Sequence, residues 1–542
     1  MSDITMNFSR VPAGAAPRPG PDLDAKPHGS VGIIVIGLLV VGIGFVVQGL
    51  VHDISAAGGP PLATGAFVLL GLALLIALGF EFVNGFHDTA NAVATVIYTH
   101  SMPAQYAVVW SGFFNFLGVL TSSGAVAFTV VSLLPVELIL QVGSGAGYAM
   151  IFALLIAAIL WNLGTWALGL PASSSHTLIG SIIGVGLANQ LLSPNTNVSG
   201  VDWGQVGGVF KALLISPVIG FACAALLLLL MKGVVKSRHL YEAPDGSSKP
   251  PGWIRGLLIL TCTGVSFAHG SNDGQKGMGL IMLILIGVAP TAYALNRALP
   301  ESSTPGFMRA TERVEGVFAA RAQSQAVPAD RARDRVTQAV QEKSFDKPEV
   351  FAALSGLAHD MAAQVQGYGA IKHVPAEQVQ NVRNDMFLAS EAVRQMEKQG
   401  VAFEPEEHAA LKGWKSELDA GTKFIPLWVK VGVAVALGLG TMIGWKRIVV
   451  TVGERIGKTH LTYGQGASAE LVAMLTIGAA DVYGLPVSTT HVLSSGVAGT
   501  MAANGSGLQW ATVRSIAMAW VLTLPAAALL AGALYFLFRQ VF

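Results

Sequence analysis

The sequence predicts an all-α polytopic membrane protein with two related halves and a soluble helical insert. Three observations carry this. Only 12% of the 542 residues are charged and 52% are hydrophobic, whereas soluble domains average about 25% charged residues. Several apolar runs approach or reach the length that spans a bilayer as helix, about 20 residues: Val31–Leu50, Phe67–Phe80, Met150–Leu160 with its flanks, Leu213–Met231, Phe424–Ile443 and Ile516–Phe538. These runs are solid rather than alternating, which argues against a β-barrel. The third observation is a pair of duplicated polar motifs.

"NGFHDTANAVAT" (84–95) resembles "HGSNDGQKGMGL" (269–280), aligning Gly85 with Gly270 and Asp88 with Asp273. "PASSSHTLIGSIIG" (171–184) matches "PVSTTHVLSSGVAG" (486–499) more closely. Pro171/Pro486, Ser173/Ser488, His176/His491, Leu178/Leu493 and Gly184/Gly499 are identical, and Ser174 and Ser175 are matched by Thr489 and Thr490. The motifs recur in the same order, so each half holds one copy of each. The second pair is about 130 residues further apart than the first, and about half of all charged residues fall between about Arg297 and Lys423. That excess marks the insert.

The expected organisation follows. Residues 1–30, polar and rich in Pro and Gly, form a disordered tail rather than a signal peptide. Residues 31–63 supply an extra N-terminal transmembrane segment and loop. Residues 64–231 form the first membrane repeat, and 232–252 a basic connector. Residues 253–297 and 424–542 form the second repeat, interrupted by the soluble helical insert 298–423. Lys232, Lys236, Arg238, Lys249 and Arg255 place the connector in the cytoplasm by the positive-inside rule, and Lys446, Arg447, Arg455 and Lys458 do the same for 445–458. The stretch 253–296 is open between two crossings and one interrupted crossing. A net charge of +1 gives no sign of nucleic-acid binding. Cys223 and Cys262 lie in different apolar runs and read as packing residues.

Duplicated halves with polar interruptions point to a secondary transporter, whose site lies near the bilayer midplane where helices break. Both polar pairs read as such breaks. In the second pair, Pro171 and Pro486 suit a first helical turn. The hydroxyls that follow can cap exposed N–H groups. Each unit then resembles a helical hairpin whose tip offers hydroxyls, free N–H groups and a positive dipole end to a tetrahedral oxyanion. His176 and His491 are either packed imidazoles or ligand contacts.

Intramembrane carboxylates cost about 3 kcal/mol or more and by default mark function. Asp88 has Asn84, His87 and Asn91 as neighbours; Asp273 has His269, Asn272 and Gln275. Asn91 aligns with Lys276. Where oxygens around Asp88 and Asn91 suit a bare cation, a tethered ammonium at Lys276 takes that cation's place beside Asp273 or attracts the anion. An intramembrane hydrolase is a poor alternative, because there is no G-x-S-x-G elbow and adjacent Ser175 and His176 are badly placed for proton transfer. The chain is read as a non-enzyme without cofactor or resident metal. A passive anion channel is the nearer rival.

"GFEFVNGFHDTANAVAT", "FAHGSNDGQKGMGLIMLILIG", "PASSSH" and "PVSTTH" resemble the duplicated signatures of the inorganic phosphate transporter (Pit) family, and "GQKG" looks like its bacterial proton-coupled branch. The resemblance implies two inverted repeats with re-entrant helical hairpins and about 10–12 membrane segments. It implies a multi-pass protein of the bacterial inner membrane, surrounded by lipid bilayer, that takes up phosphate with protons. A divalent metal–hydrogen phosphate complex is a second form of the cargo, and a homodimer is left open. Carried over by position, phosphate would meet Ser173, Ser174, Ser175, Thr177, Ser488, Thr489 and Thr490. Asp88, Asn91, Asn272, Asp273, Gln275 and Lys276 would serve coupling and ion handling, supported by Asn84, His87, His176, His269 and His491. Sodium-coupled members typically keep a second D-x-A-N where this chain has Asp273-Gly-Gln-Lys276, which makes sodium the less favoured coupling ion. Sulfate is the nearest alternative substrate, but buried carboxylates accept from protonated phosphate and repel an anion without O–H groups.

Overall fold

In the computed structural model the described residues are 21–23, 29–59, 62–134, 139, 143–192, 200–244 and 249–542. Most of the expected N-terminal tail lies outside them. Among the described residues the chain is helical, and its one β pairing is an isolated bridge between Gly457 and Leu508.

The apolar runs become long helices. They are α1 (Gly29–Ala56), α2 (Thr64–Tyr98), α3 (Ala104–Thr121), α4 (Ala125–Val131), α5 (Gly145–Ala167), α6 (Ser174–Leu192), α7 (Trp203–Val234) and α8 (Gly252–Val288). Among the described residues five helices are long and apolar enough to cross a bilayer: α1 from Gly32, α2, α5, α7 and a last helix, Trp510–Phe538. Two bent pairs raise the number to seven. One of them is α3 with α4, which meet at 77°. Among the described residues, length and apolarity alone therefore do not reach the expected number of spans.

Two expectations need correction. The stretch 253–296 holds one continuous helix, α8, from Gly252 to Val288. The Asp88 and Asp273 motifs are also not breaks: both lie inside unbroken helices. Their glycines serve approach rather than turning. A Cβ on Gly85 would sit 2.3 Å from the Leu437 carbonyl oxygen, and one on Gly270 would sit 2.1 Å from that of Asn115. Small residues let helices touch backbone to backbone in a membrane. An intact helix also satisfies its own amides where water is absent.

Each Pro-Ser/Thr motif lies in a short connection between two helices. α5 leads through a short tip into α6, and α16 (Tyr463–Val482) leads into α17 (Thr489–Asn504). Each first helix ends on a left-handed glycine, Gly169 (φ 66) and Gly484 (φ 64). Leu170 N–H then reaches Thr165 O and Leu485 N–H reaches Ala480 O, the wrap that satisfies end carbonyls. Pro171 and Pro486 lie in the extended tip, ahead of the helices rather than in their first turns. Ser173 and Ser488 do the capping, accepting from the N–H groups of His176 and His491 at 3.2 Å each.

The remaining helices longer than two turns are α9 (Thr304–Arg321), α10 (Ala329–Glu342), α11 (Pro348–Tyr368), α12 (Val379–Gln399), α13 (Pro405–Thr422), α14 (Leu427–Thr441), α15 (Lys446–Glu454) and α18 (Trp510–Phe538). Helices α9–α13 enclose their own apolar core, with Trp414, Phe307 and Phe318 buried in it. Packing around the motif helices is reciprocal. α2 packs on α14 and α8 on α3, while α6 packs on α18 and α17 on α7. α2 and α8 also pack on each other, which brings both acidic motifs together. Cys223 is exposed and Cys262 buried, and both are free.

Candidate functional site

The site is assembled where α2, α8 and the two hairpin tips meet. α2 supplies Asp88, 3% exposed. Its Oδ2 accepts from Ser174 Oγ at 2.8 Å and its Oδ1 from Thr490 Oγ1 at 2.5 Å. One carboxylate therefore takes a hydroxyl from each hairpin, residues far apart in sequence. His87 Nδ1 lies 3.1 Å from Asp88 Oδ1, and its Nε2 lies 3.1 Å from Thr165 Oγ1 on α5.

α8 supplies Asp273 and Lys276, both buried. Lys276 Nζ donates to Asp273 Oδ1 and to Ser175 Oγ, each at 2.5 Å, and lies 3.3 Å from the Val487 carbonyl oxygen. Three oxygens from α8 and both hairpins thus surround one ammonium. Ser175 in turn donates to Val487 O at 2.8 Å. His269 bridges Asn115 Oδ1, 2.7 Å from its Nδ1, and Asp273 Oδ2, 3.4 Å from its Nε2. Ligand atoms of Asp88, His269 and Asp273 lie within 4.8 Å of one another, close enough to share a cation.

Several buried polar atoms gathered here have no hydrogen-bond partner: Thr489 Oγ1, His491 Nε2, His176 Nδ1, Asn272 Oδ1 and Asn84 Oδ1. Such groups are costly unless something polar meets them. The rings of His176 and His491 pack against each other at 4.5 Å, and His491 stacks on Trp520 at 4.0 Å.

Two expected site residues face elsewhere. Thr177 donates to Asn162 Oδ1 at 2.9 Å, joining α6 to α5 rather than presenting its hydroxyl at the tip. Gln275 spans Val126 N–H, Ser271 O and Asp481 Oδ1, tying α8 to α4 and α16. Asn272 reaches Leu485 O at 3.0 Å and so steadies the second tip. Asn91 lies outside the described side chains. Glu81, Asn115 and Glu470 were missed. Glu81 is fully buried on α2 beside Asn84 and Gly277. Glu470 is fully buried on α16 and accepts from Thr95 and Thr261. Both are carboxylates in apolar stretches, the same signal that singled out Asp88 and Asp273, but neither repeats between the halves.

A helical multi-pass membrane protein with two hydroxyl-tipped hairpins closing on paired buried carboxylates is the class that fold and site define. Residues 84–531 match the sequence signature of the phosphate transporter family, and the chain belongs to that family. It is 44% identical over 503 residues to the low-affinity inorganic phosphate transporter PitA of Escherichia coli K12, covering 89% of this chain and 98% of that protein. It is 38% identical over 496 residues to a low-affinity inorganic phosphate transporter of Buchnera aphidicola from Acyrthosiphon pisum, covering 87% and 96%. Its fold is similar to the solved structure of a sodium-dependent phosphate transporter, with a TM-score of 0.50 and 21% identity over 88% of this chain and all of that one.

Proposed function

We propose that this protein takes up inorganic phosphate across the bacterial inner membrane by proton symport and alternating access. The observation that carries the reading is the convergence of Ser174 and Thr490, one from each hairpin, on Asp88. Phosphate binds at the two tips, where helix N-termini, the hydroxyls of Ser174, Ser175, Thr489 and Thr490, and the capping residues Ser173 and Ser488 favour an oxyanion. The two halves act as inverted repeats with re-entrant hairpins and rock about this point, exposing it to each side in turn. The reciprocal packing of α2 on α14 and α8 on α3 supports that symmetry.

Protonation of Asp88 or Asp273 lowers the cost of moving the loaded site through a low-dielectric interior. Protonated phosphate also supplies O–H donors that a carboxylate can accept. Lys276 supports protons over sodium, because its ammonium holds the oxygens that a bare cation would need. The cluster of Asp88, His269 and Asp273 suits the metal of a metal–hydrogen phosphate cargo.

Uptake of labelled phosphate into proteoliposomes, with imposed proton or sodium gradients, tests the reading. Wild type should accumulate phosphate when a proton gradient is imposed, and Asp88→Asn and Asp273→Asn should not. Accumulation insensitive to an uncoupler, or equal uptake of labelled sulfate, would contradict it.

A further inference from the structure

A cavity lined by no residue of the hairpin tips lies between the inserted helices and the membrane helices. Its volume is about 320 Å³, within the range of small-ligand pockets. Helix α12 contributes Arg383, Glu391 and Arg394, and helix α13 contributes Lys415, Asp419 and, just beyond its end, Lys423. The opposite wall is apolar, with Phe128 from α4 and Met282 and Ile286 from α8.

Four cations therefore face two carboxylates, and both carboxylates are already engaged. Asp419 is shared by Lys415 at 2.6 Å and Lys423 at 2.8 Å. Glu391 is held by Arg394, which also reaches Asp202 at 3.0 Å. Arg383 is different. It is 4% exposed, and its Nε has no hydrogen-bond partner. Its Nη1 lies 3.1 Å from the neighbouring Asn384 Oδ1 and 3.5 Å from the Ile139 carbonyl oxygen, and its guanidinium sits 4.8 Å from the Phe387 ring centre. No carboxylate pairs with it among the described residues. Burial pulls it down to about 10. A buried, uncompensated charge is expensive, and a counter-anion removes the expense.

We propose that this cavity binds a phosphate-bearing anion, with Arg383 as its principal donor and Lys415 and Lys423 completing the charge. The guanidinium fork matches the spacing of phosphate oxygens. Free inorganic phosphate and the headgroup of an anionic phospholipid share this chemistry, and the apolar wall suits the start of an acyl chain. An anion held here ties α12 and α13 to α4 and α8, and α8 also carries Asp273 and Lys276. The site uses none of the hairpin residues, so it stands independently of the transport reading.

The test uses the full chain in nanodiscs. In zwitterionic phosphatidylcholine, equilibrium binding of radiolabelled phosphate is compared between wild type and Arg383→Gln. In discs containing phosphatidylglycerol, native mass spectrometry reads retained anionic lipid for the same pair. Lys423→Gln, at the partly exposed rim, is the second variant should Arg383→Gln not fold. Loss of one phosphate per chain in the variants assigns the site to free phosphate. Loss of retained phosphatidylglycerol with phosphate binding unchanged assigns it to lipid. Wild type and both variants alike in both arms overturns the proposal, as does a wild type that retains neither ligand beyond what the hairpin site accounts for.

Discussion

Thr490 donates to Asp88 at 2.5 Å, whereas its repeat counterpart Ser175 lies 2.5 Å from Lys276. Lys276 stands in turn 2.5 Å from Asp273, the counterpart of Asp88. Both contacts join one half to the other, one directly and one through an ammonium.

Lys276→Asn restores at this position the residue type found at Asn91. Yield should stay near normal while uptake stops following the proton gradient, measured in proteoliposomes. Unchanged coupling would count against the bridging role. Lys276→Met should be worse for stability, by about 3–5 kcal/mol, because it leaves Asp273 buried without its partner. Thermal unfolding in detergent reads that difference.

Ser174→Ala and Thr490→Val each remove one hydroxyl from Asp88. A hydrogen bond to a charged group contributes about 1.5–3 kcal/mol. Phosphate uptake should therefore fall by about tenfold or more for each. Thr177→Val, whose hydroxyl serves Asn162, should leave phosphate affinity close to wild type. Equal losses in all three variants would undo the distinction between tip and hairpin stem.

Gly270→Ala drives a methyl against the Asn115 carbonyl oxygen at 2.1 Å, in contact with backbone that cannot swing aside. Folded yield should collapse. Gly71→Ala, where nothing lies within 4 Å, should be tolerated. Size-exclusion profiles of the two variants make the comparison.

Asp202 caps α7 and receives Lys343 at 2.9 Å and Arg394 at 3.0 Å, joining the inserted helices to the membrane body. Burial pushes its carboxyl up, but hydrogen bonds from Lys343 and Arg394 outweigh this and hold it at about 2. A depressed acid stabilises above its unfolded value, near 3.9. That stabilisation is lost as pH falls towards about 2. Hydrogen exchange on α12 should rise over this acid window in wild type, and Asp202→Asn should show raised exchange already at neutral pH. Exchange on α12 that is insensitive to both changes would show the contact to be incidental.

Much of this was legible in the chain itself. Apolar length announced membrane helices, and the duplicated "PASSSH" and "PVSTTH" announced two like tips. Ser173 and Ser488 cap as their residue type suggests. The prolines were read one turn too late, because a left-handed glycine two residues earlier already ends the preceding helix. The acidic motifs were read as breaks because polar residues and glycine cluster there. In the fold, that glycine is spent on close packing of α2 with α14 and of α8 with α3.

Sequence alone determined the residue types: hydroxyls at two tips, carboxylates in two apolar helices, and one lysine where its repeat has an asparagine. Tertiary structure decided which of them meet. It turned Thr177 and Gln275 towards neighbouring helices, drew Thr490 across to Asp88, and set Arg383 without a carboxylate partner where the insert meets the membrane helices. The physical reason is that local spacing fixes helices and caps, whereas side-chain partners hundreds of residues apart are chosen by how the helices pack.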